Sequence, residues 1–480
     1  MRLSDLTGVD SEAVVTGFAI DHRNVTKGNV FGAFRGQRFD GESFIGQAVA
    51  HGAVAVVARP EALVEGAVHI ADVEPRRRFA QLAGKFTGPY PEVIVAVTGT
   101  NGKTSTVEMA RQMWRMAGHR SASIGTLGVT TADDQVKTGL TTPDIVTFLS
   151  NMAGLERMGI SHVAYEASSH GLDQFRSEGL PVRVAAFTNF SRDHLDYHPD
   201  MDAYFAAKMR LFDEVVDGDG TAVVWTGDAR SDAVIEHVGK RGLTLITVGP
   251  GAETIALVEQ VPTPLGQRLV LRYQGKDHKL TLPLIGAYQA NNVLTAAGLL
   301  LATGTDWDDT LGAMGRVSPV RGRLERAVIS RAGAPVYIDY AHTPDALEAA
   351  IAALKPHVAK DKGGKLITVF GAGGDRDKGK REPMGAVAAR MSDVAIVTDD
   401  NPRTEDPAAI RRDVMQGAVG AREIGAIEIP GRRAAIAEAI RLAGPGDIVL
   451  VAGKGHETGQ VIGDRILPFD DALVARECAA

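Results

Sequence analysis

One segment constrains this chain more than any other: Val93-Ile94-Val95-Ala96-Val97-Thr98-Gly99-Thr100-Asn101-Gly102-Lys103-Thr104-Ser105. Its apolar, β-branched run reads as a buried strand. The glycine-bearing stretch reads as a tight turn, with a helix expected from Thr106 onward. Strand, turn and helix in that order aim backbone N–H groups at phosphate oxygens. Lys103 can offset β/γ-phosphate charge, and the Thr104 hydroxyl can reach Mg²⁺. Gly99 through Ser105 (Gly99, Thr100, Asn101, Gly102, Lys103, Thr104, Ser105) are therefore candidates to hold a nucleoside triphosphate. The common pattern has glycine where Val97 stands, so an ordinary strand–turn–helix connection is the plain alternative.

Strand-to-helix alternation continues along most of the chain and predicts an α/β fold with parallel sheets covered by helices. A chain of 480 residues exceeds one ordinary core. Three blocks are expected, 1–88, 89–319 and 320–480, with the turn Gly88-Pro89-Tyr90-Pro91 as the first linker. Clear strands are expected at 162–166, 184–189, 221–224 and 244–248, and then at 336–339, 366–370, 394–398 and 448–452. A more β-like patch, 268–273 and 279–284, precedes a long helix starting near Ala290. A formal net charge of −7 without a dense Lys/Arg stripe speaks against a nucleic-acid partner. The single cysteine, Cys478, permits no intrachain disulfide and fits a reducing cytoplasm. No apolar signal core follows Met1 and no run approaches a membrane span, so a soluble cytoplasmic protein is expected.

In parallel sheets, chemistry collects at the carboxyl ends of strands. Glu166 ends one, where a carboxylate can hold Mg²⁺ or merely cap a helix. His194 follows another in a loop dense with polar groups, although a lone histidine is more often structural. Lys208 sits in an amphipathic helix and reads, by itself, as a solvated lysine. Asn292, Arg323 and the strand-end acid Asp339 could reach nucleotide, each a weak signal alone. The loop Gly371-Ala372-Gly373-Gly374-Asp375-Arg376 lacks dinucleotide spacing, which disfavours NAD. With Asp399-Asp400-Asn401-Pro402-Arg403 and Gly453-Lys454-Gly455-His456-Glu457 it gathers Arg376, Arg403 and Glu457. That set suits a zwitterion, with guanidinium forks for a carboxylate and an acid for an ammonium; scattered surface charge is the alternative.

Taken together, Thr98–Thr104, Glu166–Leu172, Ser191–Asp196, Asp339–Pro344 and Asp400–Arg403 resemble the Mur ligases across nearly the whole chain, and within them the diaminopimelate-adding type. The resemblance implies three domains: 1–88 for a UDP-sugar, 89–319 for ATP, and a Rossmann-like 320–480 for an amino acid. It implies ATP-dependent amide formation in cytoplasmic peptidoglycan precursor synthesis: a substrate carboxylate takes the γ-phosphate, and an amine displaces phosphate from the acyl phosphate. Lys103, Glu166, His194 and Lys208 are the implied catalytic group. Thr104 and Glu166 would serve one Mg²⁺ and His194 a second, with Lys208 carried as a CO₂-derived carbamate, an anionic ligand in place of a cation. Asn292, Arg323 and Asp339 would contact ATP, and Gln289 stands where the family often has asparagine.

By the same resemblance Asp400-Asn401-Pro402-Arg403, with Arg376, Gly453 and Glu457, forms the pocket for meso-diaminopimelate. Arg403 would bind the carboxylate that lysine lacks. Thr141, Thr142, Ser168, Gln174 and Arg176 match positions for UDP-N-acetylmuramoyl-L-alanyl-D-glutamate. His22 stands where a serine is usual, and Gln37, Arg38 and Phe39 occupy a variable uridine loop. A monomer without nucleic-acid or membrane partners is expected. The rivals are a lysine-adding, D-Ala-D-Ala-adding or folylpolyglutamate-type ligase, and a nucleotide-gated binding protein that performs no ligation.

Overall fold

The computed structural model describes residues 1–36, 40–136, 141–359, 361, 363–421 and 426–480. Gln37, Arg38 and Phe39 of the expected uridine loop lie outside the described residues. Among the described residues no helix is long and apolar enough to cross a membrane.

The architecture is α/β throughout, built on three main sheets. The first has four parallel strands in chain order, Gly17–Ala19, Asn29–Gly32, Ala55–Ala58 and Val68–Ala71. The second has eleven strands, with Val93–Thr98 between Val182–Phe187 and His162–Glu166 in its parallel centre. The third has six. Pro335–Asp339, Ile448–Ala452, Leu366–Phe370, Val394–Val397 and Ala426–Glu428 run parallel, and Glu325–Ile329 is an antiparallel edge. Strands 162–166, 366–370 and 448–452 fall on the predicted residues, because each is a continuous buried apolar run ended by polar or glycine residues.

The β-like patch expected at 268–273 and 279–284 is present as Gly266–Tyr273 and Lys276–Leu282, but the sequence reading missed Gly128–Thr130, Gln135–Val136 and Ile255–Thr263, antiparallel strands at the edges of the central sheet. Gly128–Thr130 pairs with Ser121–Gly125 and then with Gln135–Val136. At the other edge Ile255–Thr263, Gly266–Tyr273 and Lys276–Leu282 form a meander. Half-exposed strands such as Ile255–Thr263 carry mixed side chains on both faces, so no clean alternation marks them. The helix expected near Ala290 begins earlier, at Ala287.

One apolar core runs from the first sheet into a face of the central sheet, joining Val30, Val57 and Phe79 to Phe148, Tyr165 and Phe187. The other central face buries Val95, Val97 and Trp114 against Leu294 and Leu299. The linking helix Pro75–Thr87 approaches the central domain through glycines: a Cβ on Gly84 would collide with the Gly179 carbonyl. Gly84→Ala is expected to cost about 1–3 kcal/mol in a denaturant melt, because backbone cannot step aside as a side chain can. Gly239→Ala, in helix Ser231–Arg241 with open space at its Cβ, should instead be neutral or slightly stabilising.

Candidate active site

The turn after Val93–Thr98 is held open by two glycines. Gly99 sits at φ +140° and Gly102 at φ +85°, and added Cβ atoms would collide with Thr188 Oγ1 and Asn292 Oδ1 respectively. The helix starts at Lys103, earlier than the expected Thr106, with Gly102 as an N-cap that has no side chain to offer. Its first-turn N–H groups are therefore left for an anion. The loop after Val182–Phe187 clamps the turn: Asn101 N donates to Asn189 Oδ1 at 2.8 Å, and Thr188 Oγ1 donates to Asn101 O at 2.6 Å.

Two ammonium groups converge there. Lys103 Nζ donates to Gly99 O at 2.9 Å and Thr100 O at 2.8 Å, and Lys208 Nζ donates to the same Gly99 carbonyl at 2.7 Å. Lys208 is 1% exposed, which overturns its reading as a solvated lysine. Its side chain points at the turn rather than at water. Burial, then the neighbouring Lys103, pushes the Lys208 ammonium well below the usual lysine range, and burial lowers Lys103 as well.

Glu166 ends its strand buried, with Oε1 accepting from Thr126 N at 2.7 Å and Oε2 from Thr126 Oγ1 at 3.2 Å. Gly125 leaves room for it, since a Cβ there would strike the carboxylate. His194 has φ +54°, packs edge-on to His170 at 4.8 Å, and lies 3.6 Å from Asp193. Burial lowers it to about 4, so its ring is neutral with a lone pair to give. Among the described residues no three His, Cys, Asp or Glu side chains stand ready as a metal cage. The Thr104 hydroxyl with the Glu166 carboxylate, and the neutral His194 ring separately, are donor types suited to ions that complete their shells with phosphate oxygens and water, as Mg²⁺ does.

A cavity of about 200 Å³ opens beside the turn, lined by Asn101, Gly102, Ser105, Asn292 and, from the third sheet's domain, Arg323 and Asp339. Arg323 lies over the Tyr340 ring at 4.5 Å and donates to Thr104 Oγ1 at 3.0 Å, while its buried Nε has no partner. Gln289 Nε2 donates to Arg323 O at 3.2 Å and Asn292 Nδ2 donates to Gln289 Oε1 at 3.3 Å. Asp339 accepts from Leu324 N and Ala341 N at 2.7 and 2.8 Å, so its oxygens already tie two segments of its own domain together.

A second cavity, about 890 Å³, runs from Thr126, Thr141 and His194 to Arg376, Asn401 and Arg403. Arg403, at φ +52°, is pinned by NH1 to Gly374 O at 2.7 Å. Its backbone N–H donates to Val461 O at 3.0 Å, tying the loop to the hairpin formed by Gly459–Ile462 and Arg465–Pro468. Asn401 Nδ2 donates to Glu457 Oε2 at 2.8 Å. Gly453, at φ +118°, gives Asp400 its place, because a Cβ would sit 2.6 Å from Asp400 Oδ2. Pro402 is buried in the same loop and Arg376 is exposed at the cavity rim.

Sequence reasoning missed three supports of this pocket. Lys454, fully buried, donates to Asn401 Oδ1 at 3.1 Å and Glu457 Oε2 at 2.8 Å. Arg432, 1% exposed, pairs with buried Asp471 at 2.6 Å and lies 3.7 Å from Asp400. Lys454 stood in a loop already singled out, but nothing local links Arg432 to Asp471. Arg432→Ala is expected to cost about 3–5 kcal/mol in a denaturation midpoint, since it strands a buried carboxylate.

The remaining candidates gather beside Glu166. Thr142 Oγ1 donates to Glu166 O at 2.8 Å and lies 3.0 Å from Ser168 Oγ. Arg176 donates to Thr142 O at 3.0 Å and Gln174 Oε1 at 2.6 Å, and Thr141 Oγ1 is 3.2 Å from Thr126 Oγ1. His22 is not brought to them: it stacks on Phe44 at 4.4 Å in the first domain and lines none of the cavities described.

A glycine-bearing turn at a helix N-terminus opens onto one cavity, and a second cavity runs from the central sheet's loops to those of the third sheet. Family models for the Mur ligase family catalytic domain, the Mur ligase middle domain and the Mur ligase glutamate ligase domain match residues 14–87, 97–300 and 322–455. The chain belongs to the Mur ligase family. It is 57% identical over 476 residues to the UDP-N-acetylmuramoyl-L-alanyl-D-glutamate–2,6-diaminopimelate ligase of Zymomonas mobilis subsp. mobilis, covering 98% of this chain and 96% of that one. The ligase of the same name from Caulobacter vibrioides is 47% identical over 98% of this chain and 97% of its own. A solved structure of a ligase with that name aligns at 30% identity with a TM-score of 0.71, covering 100% and 98% of the two chains. MurF ligase from Thermotoga maritima in complex with ADP shares the fold, with a TM-score of 0.63 at 19% identity over 92% and 95% of the chains.

Proposed function

We propose that this chain joins meso-diaminopimelate to UDP-N-acetylmuramoyl-L-alanyl-D-glutamate with ATP, forming an amide in cytoplasmic peptidoglycan precursor synthesis, and that it works as a monomer. The observation that carries the reading is Arg403. Its guanidinium, fixed to Gly374 O at 2.7 Å, shares a cavity with Glu457 and with His194 of the ATP-side domain. A fork for a distal carboxylate and an acid for an ammonium suit diaminopimelate, whereas lysine brings no second carboxylate for the half-buried Arg403 guanidinium to bind.

Residues 1–88 serve the UDP-sugar, with His22 at that end; 89–319 serve ATP, and 320–480 the amino acid. Thr141, Thr142, Ser168, Gln174 and Arg176 hold the muropeptide with its carboxylate beside Glu166. Lys103 and the helix N-terminus take the phosphates, while Asn292, Arg323 and Asp339 border the nucleotide. Thr104, Glu166, His194 and the Lys208 carbamate would hold Mg²⁺, which offsets charge as carboxylate and γ-phosphate approach. Burial and the neighbouring Lys103 disfavour the Lys208 ammonium, and a carbamate there would set an anion beside Lys103 in place of a second cation.

Phosphate release from ATP and the UDP-muropeptide is expected with meso-diaminopimelate and not with L-lysine. Release with lysine alone would keep the ligase and overturn the Arg403 pocket. Silence with both would point to another acceptor or to a binding protein.

A further inference from the structure

We propose that His342 is the general base that takes the proton from the incoming amine. The inference rests on the ligase reading above and names a group that reading leaves open, because an ammonium cannot attack an acyl phosphate until it loses a proton. His342 lies between strand Pro335–Asp339 and helix Pro344–Leu354. It lines both the nucleotide cavity and the larger amino-acid cavity, as do only Tyr340 and Asp345 among the lining residues. The γ-phosphate arrives from one cavity and the carboxylate and amine from the other, so a side chain bordering both stands beside the reacting carbon.

The tautomer follows from one contact. Nδ1 lies 2.8 Å from Tyr340 O, and a carbonyl only accepts, so Nδ1 carries the hydrogen and Nε2 keeps its lone pair. Burial, with the cations Lys380 and Arg323 facing the ring, favours the neutral form, and Asp193 opposes them. Asp193 is then placed to steady the imidazolium once the proton has moved. Tyr340 is a poor rival, since burial pushes its phenol up to about 12. Asp345 is exposed at the cavity edge.

The step balances without another reactant. Nε2 takes a proton from R–NH₃⁺, and the freed amine forms the C–N bond at the acyl carbon. The C–O bond to phosphate breaks with its electron pair, and the second amine proton leaves with the phosphate as HPO₄²⁻. The amide keeps one N–H, and the imidazolium returns its proton to solvent.

The test is rapid-quench single turnover of full-length wild type, His342→Gln and Asp345→Asn with ATP and the UDP-muropeptide. ADP formation without amine should stay within about threefold of wild type in His342→Gln, while amide formation with diaminopimelate falls about 10²–10³-fold. Hydroxylamine, already unprotonated at neutral pH, should give hydroxamate at the wild-type rate in the same variant. The wild-type amide step should be lost as pH falls through the depressed histidine pKa, and His342→Gln should lack that limb and gain rate as pH rises. Equal loss of hydroxamate and amide, loss of ADP formation, or a defect confined to Asp345→Asn would each overturn the assignment. No ADP from wild type would sink the ligase reading and the base with it, a result distinct from failure of His342 alone.

Discussion

Lys103→Ala is expected to abolish ligation, with muropeptide-dependent ADP formation in single turnover falling about 10³-fold or more. Lys103 opens the helix whose N-cap has no side chain, and its ammonium already lies within 2.9 Å of two carbonyls of the phosphate turn. A carboxylate and a triphosphate cannot meet without positive charge between them, and in a buried site that charge counts for far more than in water. The loss should sit in chemistry rather than in folding, because the turn is held independently by Thr188 and Asn189. A large fall in melting temperature alongside the lost activity would mean that Lys103 is structural. Residual ligation within tenfold of wild type would remove it from the phosphate site.

Arg403→Ala should lower kcat/KM for diaminopimelate by about 10²–10³-fold, the range for removing one partner of a desolvated charge pair. ADP formation without amine should change little, since Arg403 lines the larger cavity and not the nucleotide cavity. Arg403→Lys should recover little, because one ammonium cannot bond Gly374 O and a carboxylate in the same fork. Equal losses in diaminopimelate use and in ATP turnover would refute the assignment.

Much of the candidate site could be named from the sequence because its residues lie where short sequence patterns speak. Gly99–Thr104 and the Asp400–Arg403 loop each follow a buried apolar strand and Glu166 ends one, and strand ends are where parallel sheets gather function. Lys208 was not legible: its helix pattern tells which face is polar, not whether that face meets water or a phosphate turn. His342 stood in a motif that was noticed, but only the meeting of two cavities gives it a task.

The sequence by itself determined the α/β class, the glycine-bearing strand–turn–helix and the chemical types offered at each strand end, because local periodicity and glycine placement act over a few residues. Only the tertiary structure decided which of those ends meet. Arg432 meets Asp471 and Lys454 meets Asn401 through packing within the third domain, and Arg323 reaches Thr104 across two domains. Their pairing energies depend on burial and distance in space, quantities that no local pattern of residues encodes.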